Sequence, residues 1–314
     1  MKVLVTGGAG FIGSHLVHRL VQEQHEVTVL DNFSTGTHEN LEGEAGRVLL
    51  FEGDLRDFSD VKRAMKGVEV VFHQAALCSV ERSVNDPRAS NEVNVGGTMN
   101  VLAGARDEGV RRVIYASSSS VYGHNPELPK IETQPTSPAS PYAVTKLTGE
   151  LYCKTFYELF NLETFALRYF NVFGPRQVLN SPYAAVIPKF IDAIQTGNPL
   201  VIFGDGSQSR DFTYIENVVE ANMQAMKACA GFGEAFNIAC GYRTTLLQLV
   251  DYLTDIIGIT ADPVYQDPRA GDVLHSLADI SKAESILHYS PVTDLLTGLS
   301  NTVHWYRDHS GKRQ

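Results

Sequence analysis

A glycine-rich turn at the start of the chain constrains the fold more than any other feature. Lys2 to Thr6 reads as a short apolar strand, Gly7-Gly8-Ala9-Gly10-Phe11-Ile12-Gly13 follows, and an amphipathic helix runs from Phe11 to Gln22. Glycines at 7, 10 and 13 let backbone approach a pyrophosphate, and the helix N-terminus meets that charge with free N–H groups and the positive end of its dipole. A glycine triplet by itself is a weak signal. The strand before it, the helix within it and Asp31 closing the next apolar run turn it into the pattern of a dinucleotide-binding unit. Gly7, Gly10, Phe11, Ile12 and Gly13 are therefore the predicted phosphate contacts. Asp31 is placed to accept both ribose hydroxyls and to repel a 2'-phosphate, and Asn32 stands where an arginine would receive one, so NAD is favoured over NADP. Asp54-Leu55 at the end of the third strand and Ala75-Ala76 after the fourth either flank the same cofactor or are plain packing.

The first 170 residues alternate short apolar runs with longer amphipathic ones, the rhythm of strands joined through crossover helices into a parallel sheet. Strands are predicted at Lys2–Thr6, Glu26–Asp31, Val48–Glu52, Val68–Phe72, Arg112–Ser117 and Glu163–Tyr169. Helices are predicted at Phe11–Gln22, Phe58–Met65, Asn91–Asp107 and Tyr142–Phe160, the last opening behind Ser140-Pro141. After Asn171 the chain breaks into loops rich in Gly and Pro, with helices expected at Ala185–Gln195 and Leu246–Ile256 and one more sheet strand at Ala235–Ala239. At 314 residues the chain suits two unequal lobes. The fold class expected is α/β, a doubly wound parallel-sheet Rossmann domain with a smaller α+β substrate-binding domain. The first spans 1–170, with a return near 207–240, and the second spans 171–314.

Lys and Arg number 26 against 36 Asp and Glu, a formal charge of -10. A nucleic-acid-binding surface needs a basic face, so no such partner is expected. No stretch approaches the roughly 20 apolar residues that span a bilayer, and the apolar start runs into glycines rather than a signal-peptide core. The protein reads as cytoplasmic and free of membrane. Cys78, Cys153, Cys229 and Cys240 lie far apart, with no CxxC pair and no histidines at metal spacing. Reduced structural thiols and no metal site are expected.

A second constellation lies downstream. The strand at Arg112 runs out into Ser118-Ser119-Ser120-Val121-Tyr122-Gly123, and Tyr142-Ala143-Val144-Thr145-Lys146 opens the next helix. Tyr and Lys four residues apart share a helix face, so an ammonium can lie near a phenol. A free phenol titrates near about 10 and is a poor base at neutrality, and a neighbouring cation favours its ionised form. In an arbitrary helix such a pair is surface decoration. After a serine-rich strand end in a dinucleotide fold it is a proton-transfer site. His73 reads as a packed loop histidine and Trp305 as the anchor of the last helix.

On these segments, with Asp31-Asn32-Phe33-Ser34-Thr35-Gly36, Leu167-Arg168-Tyr169-Phe170-Asn171 and Arg210-Asp211-Phe212, the chain resembles the extended short-chain dehydrogenase/reductases over essentially its whole length. Within them it is similar to the UDP-sugar 4-epimerases. The resemblance implies a tightly held NAD that takes a hydride from a UDP-sugar and returns it to the opposite face. It implies Tyr142 as the base, Lys146 as the group that binds the nicotinamide ribose and lowers the Tyr142 pKa, and Ser118 as the partner of the sugar 4-hydroxyl. Asn94 would hold the Tyr-bearing helix and the cofactor in register, with Tyr169 beside the cofactor. Ser119 and Ser120 offer further hydroxyls, and which serine makes the closest contact stays open.

Related dehydratases carry an Asp-Glu pair after the residue matching Ser118, and related decarboxylases a Glu two places after it. Ser119 and Ser120 stand there instead, so a ketone that turns and is reduced again is the simplest outcome. Arg210 and Arg269 match the family's pyrophosphate arginines, whose forks suit paired phosphate oxygens. Val186 and Lys189 are expected along the uridine, with Ser79, Ser120 and Asp272 in the substrate site. Asn171 replaces the Thr of UDP-glucuronate 4-epimerases. Ser276 replaces the Tyr that closes the space beside C2 in enzymes restricted to glucose and galactose. The similarity therefore points to UDP-N-acetylglucosamine and UDP-N-acetylgalactosamine, with UDP-glucose and UDP-galactose as further substrates. It also implies a homodimer through the helices at 91–107 and 142–160. The competing readings are a UDP-glucuronate or pentose 4-epimerase and a non-catalytic NAD-binding sensor.

Overall fold

The computed structural model describes residues 1–178, 185–268 and 274–309. Seven strands form one parallel sheet: β1 (Lys2–Thr6), β2 (Glu26–Asp31), β3 (Val48–Glu52), β4 (Val70–His73), β5 (Arg112–Ser118), β6 (Glu163–Tyr169) and β7 (Glu234–Ile238). Their order across the sheet is β3-β2-β1-β4-β5-β6-β7, so the winding reverses between β1 and β4. A crevice opens outside the strand ends at such a reversal. The central strands are apolar at nearly every position because helices cover both faces. Val3 and Val5 pack with Val29, Val70, Phe72 and Ile114 on one side, while Leu4 packs with Leu30, Val71 and Val113 on the other.

The first face carries α1 (Phe11–Gln22), which packs on a helix from late in the chain. The second carries α2 (Phe58–Ala64), then α3 (Val80–Asn85), α4 (Pro87–Asn91), α5 (Gly97–Asp107) and α6 (Pro141–Phe160). A π-helical turn at Glu92–Gly96 joins α4 to α5. The smaller lobe holds α7 (Val186–Thr196), α9 (Leu246–Ile257) and α10 (Leu295–His309), with three short strand pairs. These pairs are Val172–Phe173 with Thr213–Tyr214, Leu200–Phe203 with Pro263–Gln266, and Ser209–Arg210 with Thr244–Thr245. Trp305 packs against the core from α10 and stacks on His309.

The return to the sheet is made by α8 (Ile215–Lys227), which packs on α1, β5 and β6, and by β7. Neither α3 nor α4 follows from simple apolar periodicity, whereas α8 carries Ile215, Val218, Val219, Met223 and Met226 at helical spacing and was overlooked. Val80 and Val84 of α3 are exposed, and α8 buries Asn217 and Asn222 among its apolar positions. β4 begins two residues later than its apolar run suggests, and His73 is its last, fully buried residue rather than a loop position.

Candidate active site

A cavity of about 310 Å3 lies at the reversal point. Gly7, Gly10, Phe11, Ile12, Gly13, Asp31, Asn32, Asp54, Leu55, Ala75, Ala76 and Ser79 all line it. Two glycines are required by the backbone. Gly7 has φ +69°, and a Cβ there would stand 2.7 Å from Ala75 Cα; a Cβ on Gly13 would collide with the Gly7 carbonyl. Gly10 precedes α1, and no side chain caps that first turn. Asp31 is held by two backbone donors, Ala9 N–H to Oδ2 at 2.9 Å and Phe33 N–H to Oδ1 at 2.8 Å. That leaves lone pairs on both oxygens for a ribose diol. Arg56 donates to Asp54 at 2.7 Å, assisted by Asn32 at 2.9 Å, and holds that carboxyl well below the usual carboxylate range. The uncapped helix, the close-approach glycines and the pinned carboxylates fit a bound NAD.

Two expected cofactor residues stand behind this lining. The Tyr169 hydroxyl accepts from Asn222 at 2.8 Å and from Gln74 at 3.1 Å, and it is Gln74 that reaches the groove. Asn94 sits in the π-helical turn. Its Oδ1 accepts the Leu77 N–H at 2.8 Å and its Nδ2 donates to Thr145 on α6 at 3.1 Å. It therefore ties the groove wall to the Tyr-bearing helix. His73 bonds Thr6 and Thr98, and burial lowers its pKa to about 3, so it is a neutral structural link.

Ser118, Tyr142 and Lys146 come together where β5 meets the first turn of α6. The Ser118 hydroxyl lies near enough to the Tyr142 phenol to favour its ionised form. Lys146 is 3% exposed and donates to the Ala116 carbonyl at 2.8 Å, with its Nζ 5.9 Å from the centre of the Tyr142 ring. Burial lowers the Lys146 pKa. Burial also raises the Tyr142 phenol, opposed by the Ser118 hydroxyl. The Lys146 ammonium, 5.9 Å from the ring centre, favours the ionised phenol against that burial. A cationic oxidised nicotinamide, when bound, would favour the ionised phenol further.

The serine run is divided among different partners. Ser117 donates to Glu150, Ser118 meets Tyr142, and the Ser120 hydroxyl is buried without a partner among the described residues. Glu150 belongs to a buried network that the sequence reading missed. Arg168 holds it at 2.7 and 2.9 Å and also donates to the Tyr122 hydroxyl at 2.9 Å, which donates to Asn237 at 2.6 Å. Glu150 lies one turn after Lys146, and Arg168 follows the apolar run Phe165-Ala166-Leu167, but neither spacing ties the two together. Cys78, expected to be structural, instead lines the groove near Tyr142.

A second cavity, about 640 Å3, opens in the smaller lobe. Asn171, Val186, Lys189 and Arg210 line it, joined by Phe203, Gln208 and Gln266, which sequence reading did not single out. Arg210 donates to the Ser209 and Leu274 carbonyls at 3.0 and 3.1 Å. Ser276 sits beside Asn171, whose Nδ2 donates to its Oγ at 3.0 Å. Arg269 and Asp272 lie outside the described residues.

Residues 3–239 match the NAD dependent epimerase/dehydratase family. A putative UDP-glucose 4-epimerase of Methanocaldococcus jannaschii is 40% identical, over 98% of this chain and 99% of its own length. Among solved structures, the UDP-N-acetylglucosamine 4-epimerase from Methanobrevibacter ruminantium M1, in complex with UDP-N-acetylmuramic acid, superposes with a TM-score of 0.94. It is 42% identical and covers 98% of both chains. The Thermotoga maritima UDP-glucose 4-epimerase with UDP-glucose gives a TM-score of 0.94 at 38% identity, covering 99% of this chain and 100% of its own.

Proposed function

The chain belongs to the NAD-dependent epimerase/dehydratase family, and from that membership we propose that it is an isomerase inverting C4 of UDP-hexoses through a transient 4-keto sugar. The observation that carries the reading is the meeting of Ser118, Tyr142 and Lys146 where β5 joins α6, with Lys146 Nζ 5.9 Å from the centre of the Tyr142 ring. Among the described residues Glu150 is held by Arg168 and Ser117, and Ser119 and Ser120 stand where related dehydratases and decarboxylases carry their acidic residues. NAD, when bound, supplies the hydride acceptor and donor. Tyr142 takes the proton from the sugar 4-hydroxyl and returns it, Ser118 holds the oxygen, and Lys146 keeps a buried positive charge below the phenol. Arg210, Lys189 and Val186 hold the nucleotide diphosphate and uridine, with Ser79, Ser119 and Ser120 at the sugar end.

We assign the N-acetylated hexosamines as preferred substrates. Ser276 is small and bonded to Asn171, which leaves volume beside C2. The Methanobrevibacter relative, whose name carries the same substrate class, supports this. Incubation with four UDP-sugars and separation of the products tests it: UDP-N-acetylglucosamine and UDP-N-acetylgalactosamine interconvert fastest. Turnover of UDP-glucuronate or a UDP-pentose alone would replace this reading, and bound NAD without any turnover would make the chain a sensor.

The proposed homodimer contact is the face of α5 and α6, where Leu151 is 58% and Leu159 67% exposed. Leu151→Glu is expected to release monomers in sedimentation. Among the described residues no helix is long and apolar enough to cross a membrane. All four cysteines are free, which suits the cytoplasm we assign.

A further inference from the structure

Asn171 and Ser276 share one neighbour, Asp211, whose side chain has no exposed surface. Its carboxylate accepts three backbone N–H groups: Cys240 at 3.0 Å, Gly241 at 3.1 Å and Ala278 at 3.2 Å. Two of these follow β7 of the main sheet and the third lies in the smaller lobe, so one side chain clamps the segment carrying Ser276 to the large domain. The peptide units of Asp211 act on the same pair. The Asp211 N–H donates to Ser276 Oγ at 3.3 Å, and the Asp211 carbonyl accepts from Asn171 Nδ2 at 3.1 Å.

This arrangement fixes which way the Asn171 amide points. Both Nδ2 protons are used, one on the Asp211 carbonyl and one on Ser276 Oγ. A flipped amide would set its oxygen against the Asp211 carbonyl, two acceptors with no proton between them. Asn171 therefore keeps its Oδ1 for the cavity it lines. An acetamido N–H at C2 is the donor that such an acceptor suits.

We infer that Asp211 is a positioning residue for substrate choice: it holds Ser276 in place and turns Asn171 so that a carbonyl oxygen meets the C2 substituent. The inference rests on the proposed roles of Asn171 and Ser276. The test is Asp211→Asn, which keeps the shape but sets an NH2 among the three donors. In folded, NAD-loaded variant, KM for UDP-N-acetylglucosamine rises about tenfold while kcat stays within about threefold. The ratio of its kcat/KM to that for UDP-glucose falls by a similar factor. An unchanged ratio, or an equal loss for both sugars, overturns the inference, because a merely structural role would penalise both alike. Should that variant fail to fold, Ser276→Ala removes the shared acceptor, and it too must lower the ratio. Ser276→Tyr separates the two ideas. A ratio that responds to S276Y but not to D211N sinks the positioning role alone, and one that responds to neither sinks the reading of the sugar site.

Discussion

The two cavities are built by opposite means. The cofactor groove gathers Gly7 to Gly13, Asp31 to Thr35, Gly53 to Leu55 and Gln74 to Ser79, each lying at or just beyond the end of one sheet strand. Its contacts are backbone groups, missing side chains and two pinned carboxylates. The second cavity draws Asn171, Lys189, Phe203, Arg210, Leu246 and Gln266 from six separate segments joined by short strand pairs. Topology thus shapes the groove, whereas a few side chains from separate segments shape the second cavity. Those side chains can change while the sheet stays as it is.

The largest effect is expected where the two regions meet. Tyr142→Phe removes the proton acceptor and leaves the groove intact, so bound NAD is retained while kcat falls by about 10²–10⁴. A variant turning over near the wild-type rate would remove Tyr142 from the mechanism. Asp211 tests the joint between the regions through stability. Burial, opposed by three backbone N–H groups, raises its carboxyl to about 7 from 3.8. The folded state then keeps a proton that the unfolded state gives up, so its contribution is full below the lower value and is lost as pH rises towards about 7. Wild type should lose stability relative to Asp211→Asn across that window, at up to about 1.4 kcal/mol per pH unit, in denaturant unfolding. Cys240, Tyr242 and Tyr289 face the carboxyl and are themselves shifted upward, so they stay neutral there. A gap that widens instead would mean that the three N–H groups outweigh burial.

The same contrast explains what was legible beforehand. The groove could be read because each part is local: glycines beside a strand, an acid at the next strand end, a helix whose boundaries Phe11 and Gln22 coincide with the apolar period. Ser118, Tyr142 and Lys146 were legible for the same reason. Phe203 and Gln266 were not, because the strand Leu200–Phe203 pairs with Pro263–Gln266 far along the chain. The helix α4 was missed, although Asp86 caps it and Pro87 takes its first position, because the reading followed apolar periodicity and that is weak in so short an element. The Glu150–Arg168 pair escaped because a charged residue in a strand gives no hint of its partner.

Ser276→Tyr separates the regions at an intermediate size. A phenol placed beside Asn171 takes the volume that an acetamido group needs, while a hydroxyl at C2 still fits. Overpacking costs about 1–3 kcal/mol, so the specificity ratio between UDP-N-acetylglucosamine and UDP-glucose should fall roughly ten- to a hundredfold. NAD content should not change. Loss of NAD together with the ratio would show that the two cavities are less independent than their construction implies.

The smallest effect is expected from the groove itself. Replacing Asp31 with Ser and Asn32 with Arg removes the ribose carboxylate and supplies a cation for a 2'-phosphate, which should move the NAD to NADP affinity ratio towards NADP. The shift is limited to about tenfold, ~1.4 kcal/mol, for two reasons on the surface of the groove. Asp31 also anchors the Ala9 and Phe33 N–H groups, and a serine cannot span both, so the loop loosens for either dinucleotide. The new arginine would sit beside Asp54, to which Asn32 now donates, and that carboxylate would draw it away from a phosphate even though Arg56 already holds it. Titration of both dinucleotides into cofactor-free protein measures the ratio without reference to turnover. An unchanged ratio would mean that Asp31 serves the loop and not the ribose. A shift far beyond tenfold would mean that Asp54 does not compete for the arginine, and that the groove is as open to single side-chain changes as the cavity across from it.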